Sequence, residues 1–250
     1  MITVLLLVLA IQTYAVPYDL YTFSAFWLGT ICPTQGCLKN ETGLISPTFF
    51  NIHGLWPDYW NGYPSNCDNS SIFNSSLLTP QLSKLMDIYW VGVGQNSERF
   101  HDHEWSKHGT CWNDPAGNVS TAQKINDYFG TALAVSFKYN FYRTLAQGGI
   151  VPSTAPYGMN QFNDVLSKAW GNGTFSFSCK QYKGQQYIQE LSLCLDLNYT
   201  IIPCPSYVKT NCKDVPTYYP PIEAPNRTTV YEFDFEWTLT FEDETDFIFM

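Results

Sequence analysis

The chain has 250 residues, enough for one compact domain with appendages, and its 17% aromatic against 14% charged residues leaves ample apolar area for a core. That balance excludes a chain disordered over most of its length. The net charge of −9 argues against a broad polyanion-binding face, but residues 223–250 hold eight acids and one base, a net −7, so the other 222 residues carry only −2 and a small, locally positive site is not excluded.

Residues 2–11, ITVLLLVLAI, form an apolar run too short to span a bilayer, which needs about 20 residues. Thr13, Tyr14 and Ala15 follow at positions a signal peptidase reads, so residues 1–15 are expected to be a secretory signal, with a buried N-terminal strand as the alternative. Further on, 48–52 is rich in aromatic and branched residues and reads as a strand. Thr79-Pro80 followed by Leu82, Leu85, Met86 and Tyr89 predicts a capped helix with Pro in its first turn. A helix capped by Ser97 and ending at Gly109 would place Glu104 and His108 one turn apart on one face, and likewise His103 and Lys107. Ser120-x-x-Gln123 is a capping box opening a helix with Ile125, Tyr128, Phe129 and Ala132 inward. The stretch 160–171 repeats the pattern through Phe162, Val165, Leu166 and Ala169, with Gly171 just past its end. Strands are expected at 174–178 and 187–196.

Helices grouped between strands, without regular strand–helix alternation, predict an α+β domain built on an antiparallel sheet. It would occupy residues 16–222 and be followed by an acidic tail, 223–250. In that tail Tyr231, Phe233, Phe235, Trp237, Leu239 and Phe241 alternate with acidic or hydroxyl residues, the pattern of a two-faced strand.

Eight cysteines, Cys32, Cys37, Cys67, Cys111, Cys179, Cys194, Cys204 and Cys212, allow 105 pairings. No C-x-x-C knuckle is present, so disulfides in an oxidising compartment are the better reading than a zinc site. Seven Asn-x-Ser/Thr sequons, at Asn40, Asn69, Asn74, Asn118, Asn172, Asn198 and Asn226, agree with secretion and would each lie on a surface loop or turn.

All four histidines fall in two short segments, IHGLWPD at 52–58 and HDHEWSKHGTC at 101–111. Three readings compete for them. A metal helix is disfavoured, because five residues separate His103 from His108 and rotate them some 140° apart, although Asp102 and His101 keep a looser site open. Packed histidines beside a disulfide would suit one isolated His better than two segments that also hold Glu, Lys, Trp and Cys. The third reading is phosphoryl transfer from an internal nucleophile. Cleaving RNA through its 2′-hydroxyl needs a general base, a general acid for the departing 5′-oxygen and positive charge on the phosphorane. Two imidazoles, one neutral and one protonated, can do the first two jobs without a metal.

HGLWP at 53–57 and HEWSKHGTC at 103–111 resemble the two active-site segments of the T2 ribonuclease family of secreted acid ribonucleases. The likeness extends to YPSNC at 63–67 and to the stretch from ELSLC at 190–194 to Cys212. The resemblance implies that His108 is the general base on the 2′-hydroxyl and His53 the general acid. Glu104 and Lys107 would stabilise the phosphorane, and His103 would hold the phosphate. Trp56 would stack on the base 5′ to the cleaved bond, with Tyr63 beside it and Asp58 on the base edge; a core tryptophan at a strand end is the alternative for Trp56. Stacking tolerates base identity, so low base specificity is expected.

The resemblance further implies Cys32–Cys37, Cys67–Cys111, Cys179–Cys212 and Cys194–Cys204 bridges and a family fold that is again α+β. Products would be a 2′,3′-cyclic phosphate and then a 3′-phosphate. The partner would be single-stranded RNA and not DNA or, once the signal is removed, a membrane. A monomer without cofactor or metal is expected, destined for the extracellular space or the lysosome. A catalytically silent secreted glycoprotein acting by binding is the rival. Three departures stand out: His101 occupies a commonly aromatic position, where it could alter base contacts or bind a proton; Phe26-Trp27-Leu28 fits the family pattern poorly; and the tail beyond Pro221 has no counterpart. Imidazolium chemistry on an acidic protein predicts an optimum below about pH 6.5.

Overall fold

The structure, a computed structural model, describes residues 18–37, 46–112 and 119–222. The expected signal, the acidic tail with its alternating segment, and Asn40, Asn118 and Asn226 lie outside the described residues. Strands β1 (Leu20–Phe26), β2 (Asn51–Asp58), β4 (Gln185–Leu195) and β3 (Phe175–Tyr182) make an antiparallel sheet in the order β2-β1-β4-β3, and the short β5 (Thr217–Tyr218) runs parallel to β4. Among the described residues six α-helices accompany it: α1 (Leu28–Gln35), α2 (Pro80–Tyr89), α3 (Ser97–Lys107), α4 (Thr121–Lys138), α5 (Phe141–Gln147) and α6 (Met159–Trp170). The architecture is the expected α+β class.

Directly opposed residues share a sheet face, so the register shows two faces of opposite character. One row runs Leu55–Phe23–Leu193–Phe175 and another Ile52–Ala25–Leu191–Phe177. These are largely buried and pack in one core with Tyr128 and Phe129 of α4 and Phe162 of α6. The opposite face carries the row Gly54–Ser24–Ser192–Ser176, flanked by Trp56, Thr22, Glu190 and Ser178. A sheet with one apolar and one hydroxyl-rich face buries the first against helices and leaves the second off the core.

Local sequence explains most helix ends. Thr79 caps α2 with Pro80 in its first turn, Ser120 accepts from the Gln123 amide at the start of α4, and Gly171 ends α6 at φ 90°, a left-handed value that suits glycine. Three expectations need correction. The strand expected at 48–52 begins at Asn51 and runs through Asp58; Pro57 is tolerated because β2 is an edge strand and a missing N–H there breaks no interior ladder. Asn96, not Ser97, caps α3, which ends at Lys107, by accepting from the Arg99 amide. The Ser120 box is only half closed, since the Gln123 side chain donates to Asp127 one turn on. The elements β1, α1, α5 and β5 were not read from the sequence; Gly29 and Pro33 hide α1.

Four disulfides link Cys32–Cys37, Cys67–Cys111, Cys179–Cys212 and Cys194–Cys204. Asn69, Asn74, Asn172 and Asn198 are exposed. Among the described residues no helix is long and apolar enough to cross a membrane.

Candidate active site

Strict alternation along β2 would send His53 to the core beside Leu55. Instead Ser24 pairs with Gly54 and Ala25 with Ile52, so His53 is the extra residue of a β-bulge. The bulge re-aims its ring toward the hydroxyl-rich face, a device common beside active sites. Neighbours fix the bulge from both sides. The Trp90 indole donates to the His53 carbonyl at 3.2 Å, and the Asn51 side chain bonds both backbone groups of Val91. Phe26 stacks on the His53 ring, with centroids 4.1 Å apart.

Helix α3 delivers the second segment. Glu104, 1% exposed, accepts from the Trp56 indole at 2.8 Å, and its other oxygen lies 3.8 Å from His53 Nε2. Gly54 makes that arrangement possible, because a Cβ there would come within 2.2 Å of Trp56 Nε1 and 2.5 Å of a Glu104 oxygen. His108, the C-cap of α3, stacks on Trp56 with centroids 5.1 Å apart, while His53 meets Trp56 edge-on at 4.8 Å. Both imidazoles therefore lie against one indole, their centroids no more than about 10 Å apart. Trp56 is half-buried in the cleft rather than sealed in the core, with one face covered by His108.

His53, His103, Glu104, Lys107, His108, Trp56, Asp58 and Tyr63 all border one cleft of about 390 Å³. The 63–67 loop is held over the end of α3 by the Cys67–Cys111 bridge and by the Asn66 amide donating to the Lys107 carbonyl. This puts the exposed Tyr63 ring 6.0 Å from Lys107 Nζ, and among the described residues Lys107 has no carboxylate partner within 4 Å. Asp58 is buried at the cleft floor, accepting from Thr22 Oγ1 at 2.5 Å. Sequence reading missed Glu190 of β4, whose Oε1 lies 2.6 Å from His53 Nδ1 and also accepts from Ser24 Oγ. Its signal was the period-two pattern of Glu190 and Ser192 against Leu191 and Leu193, which puts a carboxylate on the polar face.

His101 corrects an expectation. It takes no part in the cleft: its ring is buried against Phe73, Trp90 and Phe129, with Nε2 bonded to the Trp90 carbonyl at 2.6 Å. It steadies the tryptophan that holds the bulge. A base contact or a proton-binding group in the cleft is therefore not its role.

Electrostatics separate the two catalytic candidates. Burial pulls His53 down, but the Glu190 hydrogen bond and the charges of Glu190 and Glu104 outweigh it and hold the imidazole above its ordinary value. Burial, with Lys107 and the other histidines, drives His108 down to about 3. Among the described residues its buried Nδ1 has no hydrogen-bond partner, so an imidazolium, which must donate from both nitrogens, is poorly accommodated. Burial raises Glu104, with His53, Trp56 and Lys107 opposing. Partial burial and the charges of Lys107 and His53 lower His103. An imidazole pushed up beside one pushed down is the kind of split pair that acid–base chemistry uses.

Comparison with known proteins follows the same line. The family model described as Ribonuclease T2 family matches residues 18–204. Ribonuclease 1 of Arabidopsis thaliana is 32% identical over 201 residues, 78% of this chain and 84% of the relative. Ribonuclease Oy of Magallana gigas is 32% identical over 223 residues, 84% of this chain and 99% of the relative. Among solved structures, RNase NT in complex with 5′-AMP superposes with a TM-score of 0.68 at 28% identity, covering 82% of this chain and 99% of that one.

Proposed function

The chain belongs to the ribonuclease T2 family, and from that membership we propose that it is an endoribonuclease that cleaves single-stranded RNA by transfer to the 2′-hydroxyl. The observation that carries this reading is the opposed perturbation of two imidazoles set against one indole. His108, neutral, takes the proton of the 2′-hydroxyl as that oxygen attacks phosphorus. His53, protonated, has Nδ1–H engaged by Glu190 and so presents Nε2–H to the departing 5′-oxygen. The 2′,3′-cyclic phosphate is then opened by water with the roles reversed, giving a 3′-phosphate. Each imidazole contributes typically 10²–10⁴-fold.

Lys107 supplies positive charge to the phosphorane, and His103 holds the phosphate. Glu104 acts beside them: because burial favours its neutral form, it can meet phosphate oxygens without full charge repulsion. The half-buried Trp56 and the exposed Tyr63 ring offer stacking surfaces for the base 5′ to the cut bond, with Asp58 reaching its edge. Stacking accounts for low base specificity. These steps move protons between side chains and RNA and need no metal, and DNA, without the nucleophile, is not cut. Four disulfides and exposed sequons support a secreted or lysosomal destination, and the proposed protein is a monomer with a removable N-terminal signal and an acidic tail.

The pH dependence follows from the signs. His53 must stay protonated, so the rate falls as pH rises through its elevated value; His108 stays a competent base down to about 3. The alkaline limb therefore lies above the ordinary imidazole value, and activity persists on its acid side. A substrate whose 5′-oxygen is replaced by sulfur separates the two roles, since a thiolate departs without a proton. His53→Ala should recover on that substrate and His108→Ala should not. Rescue of the His108 variant alone would overturn the assignment, and no cleavage of any RNA by the parent protein would favour a silent binding protein.

A further inference from the structure

Arg99, His103 and Lys107 recur every four residues along α3. At 1.5 Å rise per residue they stand about 6 Å apart on one helix face. That is the order of the repeat between successive phosphates of a single strand, and a positive groove that tracks the backbone is how such strands are held. The proposed chemistry uses Lys107 and His103 but not Arg99.

A second cavity of about 450 Å³ borders Arg99, His103, Gln95, Ser106 and Asp102. His103 lines both this cavity and the catalytic cleft, so the two adjoin there. Arg99 is exposed, and among the described residues no carboxylate lies within 4 Å of its guanidinium. The direction of the track follows from its far end. Lys107 stands beside Tyr63, where the proposed function seats the base 5′ to the cut bond, so on that reading the Arg99 end lies on the side where the leaving 3′ strand departs.

We propose that Arg99, with His103 bridging from the cleaved phosphate, forms a second phosphate subsite on the outer face of α3 that binds the RNA phosphate one nucleotide 3′ of the cleaved bond. The inference rests on the proposed RNA substrate and deepens it. Arg99 is the principal anchor, because its planar fork of donors matches phosphate oxygens two at a time. Gln95 and Ser106 add neutral donors to the same cavity. Asp102 opposes them: its carboxylate borders the cavity and is tied only loosely, by Ser106 at 3.4 Å. The subsite favours substrates longer than a dinucleotide.

The test compares two uncleavable ligands, a 2′-O-methyl dinucleoside monophosphate and the same molecule with an added 3′-phosphate, by titration at low salt. The added phosphate should tighten binding to the parent about tenfold. Arg99→Ala should abolish that gain and leave the shorter ligand unchanged, Asp102→Asn should enlarge it, and the salt slope for the longer ligand should fall by about 0.7 in Arg99→Ala. Equal binding of both ligands by the parent, or equal loss for both in Arg99→Ala, would overturn the subsite. Because binding is read without turnover, a protein that fails to cut RNA yet shows the tenfold gain would refute the catalytic reading and keep the subsite.

Discussion

Replacing Glu190 by Gln removes a charge from His53 while leaving an amide oxygen able to accept from Nδ1. In the parent, one carboxylate oxygen accepts from the imidazole at 2.6 Å and from Ser24 at 2.5 Å. Hydrogen bonds to charged groups contribute about 1.5–3 kcal/mol and neutral ones about 0.5–1.5, so the variant should lose about 1–1.5 kcal/mol of preference for the imidazolium. At about 1.4 kcal/mol per factor of ten, kcat/KM measured above the pH where His53 deprotonates should fall about tenfold. Glu190→Ala forfeits the whole bond and should fall about 10- to 150-fold there. The assay is kcat/KM for a dinucleoside monophosphate from pH 4 to 9. Both variants should shift the alkaline limb to lower pH and approach parental rates on the acid plateau. A limb that does not move, or an equal loss at all pH values, would show that Glu190 does not act through the His53 proton.

Further outcomes follow from the same geometry. Buried Asp58 is pushed up to about 6, from 3.8, so its contribution to stability is present at low pH and lost as pH rises through 6. Across that interval, at 1.36 kcal/mol per pH unit, carrying the charge at neutral pH costs about 3 kcal/mol; Asp58→Asn should therefore raise Tm by several degrees at pH 7 and little at pH 4 by calorimetry, and equal shifts would refute the cause. Gly54→Ala drives a Cβ into Trp56 Nε1 and Glu104, so the indole–carboxylate bond should break, with altered tryptophan fluorescence and a loss of about 1.5–3 kcal/mol in urea unfolding. Unchanged fluorescence would mean the site relaxes around it. Removing Cys67–Cys111, which closes a loop of 44 residues, should cost about 4 kcal/mol by the loop-entropy relation, read as a lower midpoint in urea.

Much of this was legible in the residues, and the parts that were not share a physical reason. Helices α2, α4 and α6 announce themselves because caps and apolar spacing are local; Thr79-Pro80, Ser120 and Gly171 each act within one turn. The two histidine segments were visible as a concentration of titrating groups. What escaped depends on pairing across the chain. The bulge at His53 exists only in register with β1, and Pro57 looks like a strand breaker until β2 is known to be an edge. Glu190 lies 137 residues from the ring it orients, and no sequence spacing encodes that contact. His101 looked functional in the sequence and proves structural, because only the packing shows its ring turned from the cleft toward Trp90.

The proposed chemistry stands most directly on the fate of the 2′-oxygen. Phosphorus NMR of a dinucleoside monophosphate digest, run beside the same substrate with a single 2′-deoxy substitution at the cut site, follows that oxygen. A transient 2′,3′-cyclic phosphate that decays to a 3′-phosphate, with the deoxy substrate intact, is the predicted result. A 5′-phosphate product, or cleavage of the deoxy substrate, would contradict it.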